Sequence, residues 1–342
     1  MKKWHSLIVF ALLQHTFADS MSSFYSDVAS GILVSPVSAA MGNSDISLGS
    51  GAAASCSPAN LALDSLNMLS FSYANFFQNT FSTSMLSYSG KTGNSGYSIS
   101  AGYIFISDID LTDNLDTLES GDPIVPQKFK KGVSSDILIR AGYARSVKLD
   151  FCNLSVGGAA KASRRDLGDY RGYGLGVDAG VTIQFPVNGI SAALLVENLT
   201  TSYTYWSASF SEYQLPHLKI GVGWEKEFKY IYGKLRVAYT TPDLLSNEGI
   251  NYYETEFIDN NNELRIPQVK KFYEKPSILI MNANWGAEYL VMNRLALRLG
   301  ITQKQASFGA GLYLFDQKAG FDFAYKLHEL AGTYQLSMNY RW

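Results

Sequence analysis

Tyr334-Gln-Leu-Ser-Met-Asn-Tyr-Arg-Trp342 is the stretch that decides the fold. Tyr334, Leu336, Met338, Tyr340 and Trp342 point one way; Gln335, Ser337, Asn339 and Arg341 point the other. A period of two is a β-strand with one apolar and one polar face. Nine residues at about 3.3 Å each, tilted by roughly 40°, cover a little over 20 Å, close to the apolar band of a membrane barrel.

The beginning of the chain agrees. Met1-Lys-Lys3 is basic, Ser6–Phe17 is short and mostly apolar, and Thr16-Phe17-Ala18 offers a cleavage site. Residues 1–18 are therefore expected to be a secretory signal peptide. About 320 residues remain, enough for one large domain. Charged residues are 17% of the chain and aromatic ones 13%, with 22 Tyr and 19 Phe. That charge content lies below the soluble average of about 25%. A net charge of −2 leaves no basic footprint for nucleic acid. Past the leader no apolar run approaches the length of a spanning helix, so insertion in a membrane requires a closed barrel. Cys56 and Cys152 read as two separate buried thiols rather than a disulfide, because Cys152 shares an apolar strand face with Leu154 and Val156.

The same alternation recurs along the chain. Fourteen strands are expected, near 68–77, 80–89, 97–108, 136–148, 150–163, 171–185, 189–198, 217–228, 232–241, 277–289, 293–303, 306–316, 319–327 and 332–342. Three observations choose a membrane barrel over a soluble sandwich. The long connections, about 109–135, 199–216 and 242–276, all follow odd-numbered strands, while even-numbered strands end in tight turns such as Pro186-Val-Asn-Gly189. Aromatic residues recur near strand ends, among them Tyr143, Trp224, Tyr239, Trp285, Tyr289, Tyr340 and Trp342, as interfacial girdles do. The polar face is rich in Gly and carries isolated charges of both signs. A one-residue slip would place Arg294 and Arg298 in lipid together, at up to about 4–8 kcal/mol, so register is strongly fixed.

The expected fold is thus all-β: a 14-stranded antiparallel transmembrane barrel over 68–342, with residues 19–67 as a hatch in its lumen. That segment is rich in Ser, Ala, Gly and Asn and carries only Asp19, Asp27, Asp45 and Asp64 as charges. Small residues pack closely and suit a plug in a lumen that would otherwise hold water.

Candidate functional residues fall in two groups. The luminal charges Lys161, Asp178, Glu225, Arg236, Glu288, Arg294, Arg298, Asp322, Lys326 and Arg341 are expected to form an ion-pair network between hatch and wall. The loop aromatics Tyr203, Tyr205, Trp206 and Phe210, with Tyr213, are expected to form an extracellular contact surface. Gln127-Lys-Phe-Lys-Lys131 is either solvated or in contact with anionic glycolipid. An enzyme is not expected: His217 and His328 lack a nucleophilic Ser context, and no metal, phosphate-loop or dinucleotide motif is present. No catalytic residue, metal or cofactor is assigned.

The order of several motifs resembles the FadL superfamily of bacterial outer-membrane barrels, and within it the PorV/PorQ family. These are Ser47-Leu-Gly-Ser-Gly51 and Ser57-Pro-Ala-Asn-Leu61 before the first strand, then Leu154-Ser-Val-Gly-Gly158, Gly174-Leu-Gly-Val-Asp178-Ala-Gly180, Glu197-Asn-Leu199, Leu215-Pro216 and Lys219-Ile-Gly221. Gly286-Ala-Glu-Tyr289, Leu297-Arg-Leu-Gly300, Gly309-Ala-Gly311 and Asp322-Phe-Ala-Tyr325 follow, and the terminal aromatic strand also resembles the one that outer-membrane assembly reads. Ser57 departs from the family's usual Asn. The resemblance implies an outer-membrane location and a part in type IX-type secretion or surface attachment, with secreted cargo proteins or secretion components as partners besides lipid. The broader superfamily implies instead the passage of long-chain fatty acids or other hydrophobic small molecules.

Overall fold

The structure, a computed structural model, describes residues 32, 35–48, 56–63, 66–111, 130–207, 211–228, 230, 232–245, 272–302, 305–328 and 331–342. The leader 1–18 lies outside these residues. The strands among them are β1 Met68–Phe76, β2 Phe81–Thr92, β3 Ser95–Leu111, β4 Lys130–Lys148, β5 Asn153–Leu167, β6 Tyr170–Phe185, β7 Ile190–Glu197 and β8 Ser202–Trp206. They continue as β9 Ser211–Gln214, β10 His217–Phe228, β11 Gly233–Thr240, β12 Asn284–Val291, β13 Leu295–Thr302, β14 Gln305–Leu314, β15 Ala319–Lys326 and β16 Thr333–Arg341. Every pairing is antiparallel, and all but β8 and β9 form a closed wall of fourteen strands. The chain's last strand seals it: Met68 stands opposite Arg341 and Asn75 opposite Tyr334. Closure leaves no unpaired edge, the condition for a sheet to cross lipid.

The faces follow the sequence parity. In β13, Leu295, Leu297, Leu299 and Ile301 are exposed outward while Ala296, Arg298, Gly300 and Thr302 are buried inward. In β16, Tyr334, Leu336, Met338 and Tyr340 face outward and Gln335 and Ser337 inward. An exterior this apolar, over an interior that holds buried Arg and Asp, is the reverse of a water-soluble protein and fits a barrel in a bilayer. The wall is uneven in height: β4, β5 and β6 have 19, 15 and 16 residues, whereas β12 and β13 have 8 each.

Three expectations need correction. The strand expected over 277–289 begins only at Asn284, because Ile278–Met281 forms a short helix, α1, on the turn Lys275-Pro276-Ser277. A run of four apolar residues carries no period that separates strand from helix. Half of the connection expected over 199–216 is strand, added to the outside edge of the ring: β8 pairs with the outer part of β6, and β9 pairs with β8. Asn198 and Thr201, with φ of +54° and +62°, make a bulge between β7 and β8, and that bulge reads in sequence as the end of a strand. Strands β3 and β4 also run further outward than expected, to Leu111 and from Lys130, past a register shift between Ile106 and Ile109.

Cys56 and Cys152 are not bonded to each other. Cys152 is buried before β5, and Cys56 is half-buried with its Sγ 3.2 Å from Ser38 Oγ.

Candidate functional site in the barrel lumen

The described hatch segments, 35–48 and 56–63, lie inside the wall and are buried almost throughout. A helical turn, α2, over Pro36–Ala40 is capped by Ser35, whose Oγ accepts the Ser38 N–H at 3.2 Å. Short 3₁₀ turns follow at Asp45–Ser47 and Pro58–Ala62. These turns leave carbonyls unpaired, and the wall supplies the donors. Ser307 Oγ donates to Ala40 O at 3.1 Å, Thr302 Oγ1 to Gly42 O at 2.6 Å, and Thr240 Oγ1 to Ser44 O at 2.8 Å. On the opposite wall Ser155 Oγ donates to Ala59 O at 2.6 Å and Thr182 Oγ1 to Asn60 Oδ1 at 2.9 Å. Asn60 Nδ2 donates to Ile46 O at 2.9 Å and ties the two halves of the hatch together.

Backbone meets backbone at several wall glycines, Gly300 and Gly96 among them. A Cβ on Gly300 would stand 2.2 Å from Gly42 N, and one on Gly96 would stand 2.0 Å from Leu61 O. Only glycine admits the hatch at these points.

Within the hatch Asp45 is buried, with Oδ2 accepting from Ser38 Oγ at 2.8 Å and Oδ1 without a partner among the described residues. Burial pushes its carboxyl above the ordinary carboxylate range, against the pull of the Ser38 hydrogen bond.

The expected luminal charges divide into two groups. The first is a ladder across neighbouring strands. Glu225 on β10 binds Lys234 and Arg236 on β11, at 2.7 and 2.9 Å. Arg236 also binds Glu288 on β12 at 2.9 Å. Arg298 on β13 then joins Glu288 at 2.6 Å to Asp322 on β15 at 2.8 Å. To reach Asp322, Arg298 crosses β14 over Gly311, where a Cβ would stand 3.0 Å from its Nη1. Tyr313 OH accepts from Arg298 Nη2 at 2.6 Å and donates to Asp322 at 2.9 Å, and Asn339 Nδ2 donates to Asp322 at 3.0 Å. Three cations thus face three carboxylates, the condition for burying such groups. Arg341 stacks over Tyr313, 5.7 Å from the ring centroid.

The second group lies on the taller wall. Asp178 on β6 binds Lys161 on β5 at 2.9 Å and Arg140 on β4 at 3.2 Å. Lys161 Nζ also donates to Asn198 Oδ1 at 2.8 Å, and the Asn198 N–H to Asp178 at 3.0 Å, so this group holds the wall bulge. Both groups join strand to strand within the wall rather than wall to hatch, contrary to expectation. Arg294 joins neither; it is exposed in the turn before β13. Lys326 is half-buried at the outer end of β15. Lys234, Arg140, Asn198, Tyr313 and Asn339 also belong to these groups and were not expected from sequence. The inward parity of Lys234 on β11 and Arg140 on β4 was legible; the partners of the others depend on register.

The aromatic group does not form a single contact surface. Tyr203 and Tyr205 face outward from the wall, whereas Trp206 is buried on the inner face under Arg165, 5.4 Å from its ring centroid. Phe210 lies outside the described residues, and of the Gln127–Lys131 run only the last two are described, with Lys131 bound to Asp110 at 2.6 Å. His217 lies 2.8 Å from Gln214 Nε2, and His328 packs on Phe77.

At the outer end of β1–β4 the inward face is apolar. Ile104 and Leu138 are buried there, with Phe81, Met85, Ile106 and the hatch residue Ile32 packed against them. Phe76 stacks on Phe81 with ring centroids 4.3 Å apart. Toward the other end the inward positions of β1 and β2 turn polar, and Ser70, Ser72 and Ser87 line a water-sized cavity of about 30 Å³ beside the hatch residues Ser35 and Val37.

No family model and no curated protein matches the sequence. Among solved structures the chain is similar in shape to the toluene transporter TodX of P. putida, at 12% identity over 90% of this chain and 96% of that one, with a TM-score of 0.48. It is also similar to the Acinetobacter baumannii outer membrane protein Omp33, at 8% identity over 82% and 100%, with a TM-score of 0.40. The KdgM porin gives 6% identity over 80% and 98%, with a TM-score of 0.33. Likeness at this level concerns shape and carries no argument about what passes through the barrel.

Proposed function

We propose that this chain is an outer-membrane barrel that admits a hydrophobic small molecule through a hatch-controlled lumen, the second of the two functions the resemblance implies. The observation that carries this reading is the apolar inner face formed by Phe81, Met85, Ile104, Ile106 and Leu138 and covered by Ile32. Barrel interiors are ordinarily polar. An apolar patch at the outer mouth, in contact with the hatch, favours solutes that leave water readily. The hatch is held to the wall by hydrogen bonds and close contacts rather than by a disulfide between Cys56 and Cys152. The motif resemblance that implies secretion is matched here by no outward-reaching surface of Tyr203, Tyr205 and Trp206, which lie in a strand paired with β6.

The test is uptake of labelled long-chain fatty acid and of a labelled monoaromatic compound by cells with the gene, without it, and with Ile104→Ser/Leu138→Ser. The reading expects a severalfold fall in one of the two on deletion, matched by the double variant at equal barrel abundance. Unchanged uptake of both on deletion would sink it. Loss of particular surface proteins in the same deletion strain would restore the secretion function.

A further inference from the structure

Arg164 and Arg171 face outward on the tall side of the wall and share one carboxylate. Asp166 Oδ2 lies 3.0 Å from Arg164 Nη2, and Asp166 Oδ1 lies 2.9 Å from Arg171 Nε. The two arginine side chains remain 44% and 55% exposed. A guanidinium has five donors, so Asp166 gathers the two cations at one spot while engaging few of their N–H groups. The cluster keeps one net positive charge.

Its height is set by the strand that carries it. The outward face of β6 is apolar from Phe185 through Ile183, Val181, Ala179, Val177 and Leu175 to Tyr173, and the next outward residue is Arg171. That run is about 30 Å tall at roughly 3.3 Å per residue and 40° of tilt, enough to fill the apolar band of an outer-membrane barrel. On β5 the same border falls between Ala162 and Arg164, which stand opposite Leu175 and Tyr173. The tight turn between β5 and β6 lies on the side of the long connections, the outer side of such barrels. The cluster therefore sits just above the acyl region of the outer leaflet. Tyr173, beside Arg164 and one outward position below Arg171, pairs with Tyr205, and both are exposed. Aromatic rings at that level suit the boundary between acyl chain and headgroup.

We propose that Arg164 and Arg171, positioned by Asp166 and flanked by Tyr173 and Tyr205, bind the phosphate group of an outer-leaflet glycolipid. The planar fork of arginine matches phosphate oxygens in pairs. The apolar wall beneath would take the lipid's chains, which distinguishes a lipid phosphate from free phosphate.

The test uses the full barrel in zwitterionic nanodiscs, titrated with bisphosphorylated lipid A, with its dephosphorylated form and with inorganic phosphate. Native mass spectrometry would read the bound lipid. The wild type is expected to retain the phosphorylated form preferentially. Arg164→Gln/Arg171→Gln is expected to weaken that retention roughly thirtyfold. Arg164→Lys/Arg171→Lys should retain part of it; Asp166→Asn, which keeps an acceptor oxygen for the arginines and removes the competing charge, should leave it equal or stronger, and weaker retention of the phosphorylated lipid by Asp166→Asn overturns the proposal. Equal retention of both lipids by the wild type overturns the proposal, as does an unchanged double Gln variant. Displacement of the lipid by millimolar inorganic phosphate overturns the lipid assignment. If the double Gln variant fails to insert, the wild-type comparison and Asp166→Asn still decide.

Discussion

Replacing Arg298 with methionine tests whether the barrel interior is organised by its charge ladder. Arg298 is among the largest fully buried side chains, and its guanidinium contacts Glu288 at 2.6 Å, Asp322 at 2.8 Å and Tyr313 OH at 2.6 Å. Methionine keeps much of the side chain's length and removes the charge and donors. Glu288 would keep Arg236 at 2.9 Å, and Asp322 would keep the Tyr313 hydroxyl and Asn339. Removing one partner of a buried ion pair costs about 3–5 kcal/mol, because a charge is left uncompensated. The surviving partners place Arg298→Met near the lower end, at about 3 kcal/mol. Adding Asp322→Asn neutralises the more weakly compensated carboxylate. The double variant should then be more stable than the sum of the singles by about 1–2 kcal/mol, within the usual range for directly coupled residues. The assay is urea unfolding of the barrel in lipid vesicles, read by tryptophan fluorescence and by the heat-dependent shift on gels. A single-variant loss below about 1 kcal/mol, or strict additivity, would refute the reasoning.

Three further expectations follow from the wall and the hatch. Leu299→Arg places a charge on the outward face of β13 and should cost about 2–4 kcal/mol in vesicles if that face meets lipid; a loss near zero would mean that it meets water. Gly300→Ala sets a methyl against Gly42 and Met41, so the hatch should shift while the wall still folds. Single-channel conductance in planar bilayers should rise, and conductance equal to wild type would contradict the close packing. The buried Asp45 carboxyl has a raised pKa, so its folded state favours the protonated form. Its contribution is intact below the unfolded value near 3.9 and is lost as pH rises through the raised folded value. Ser38 donates to it, and Arg236 and Glu288 act on it from the wall with opposite effects. Asp45→Asn should therefore slow hydrogen exchange of residues 36–48 at pH 8 relative to wild type, and less so at pH 4; faster exchange at pH 8 would reverse the sign.

The sequence by itself determined the barrel. A period of two is a local property, and each strand declares its two faces without reference to any other, so fourteen crossings, the terminal strand near 332–342 and the inward set of Lys161, Asp178, Arg298 and Asp322 were all legible. It could not place Arg294, because parity gives a face and not a height. It read 199–216 as one connection, because a bulge after which the chain rejoins β6 and a turn that leaves the sheet use the same residues. Tertiary structure alone decided who meets whom. Register brings Arg298 to Asp322 across a glycine strand, joins Lys161 to the wall bulge, and gathers Phe81, Met85, Ile104 and Leu138 into one apolar inner face from three strands. Such contacts depend on closure, which sets the relative height of distant segments, and that height is a property of the whole ring rather than of any strand in it.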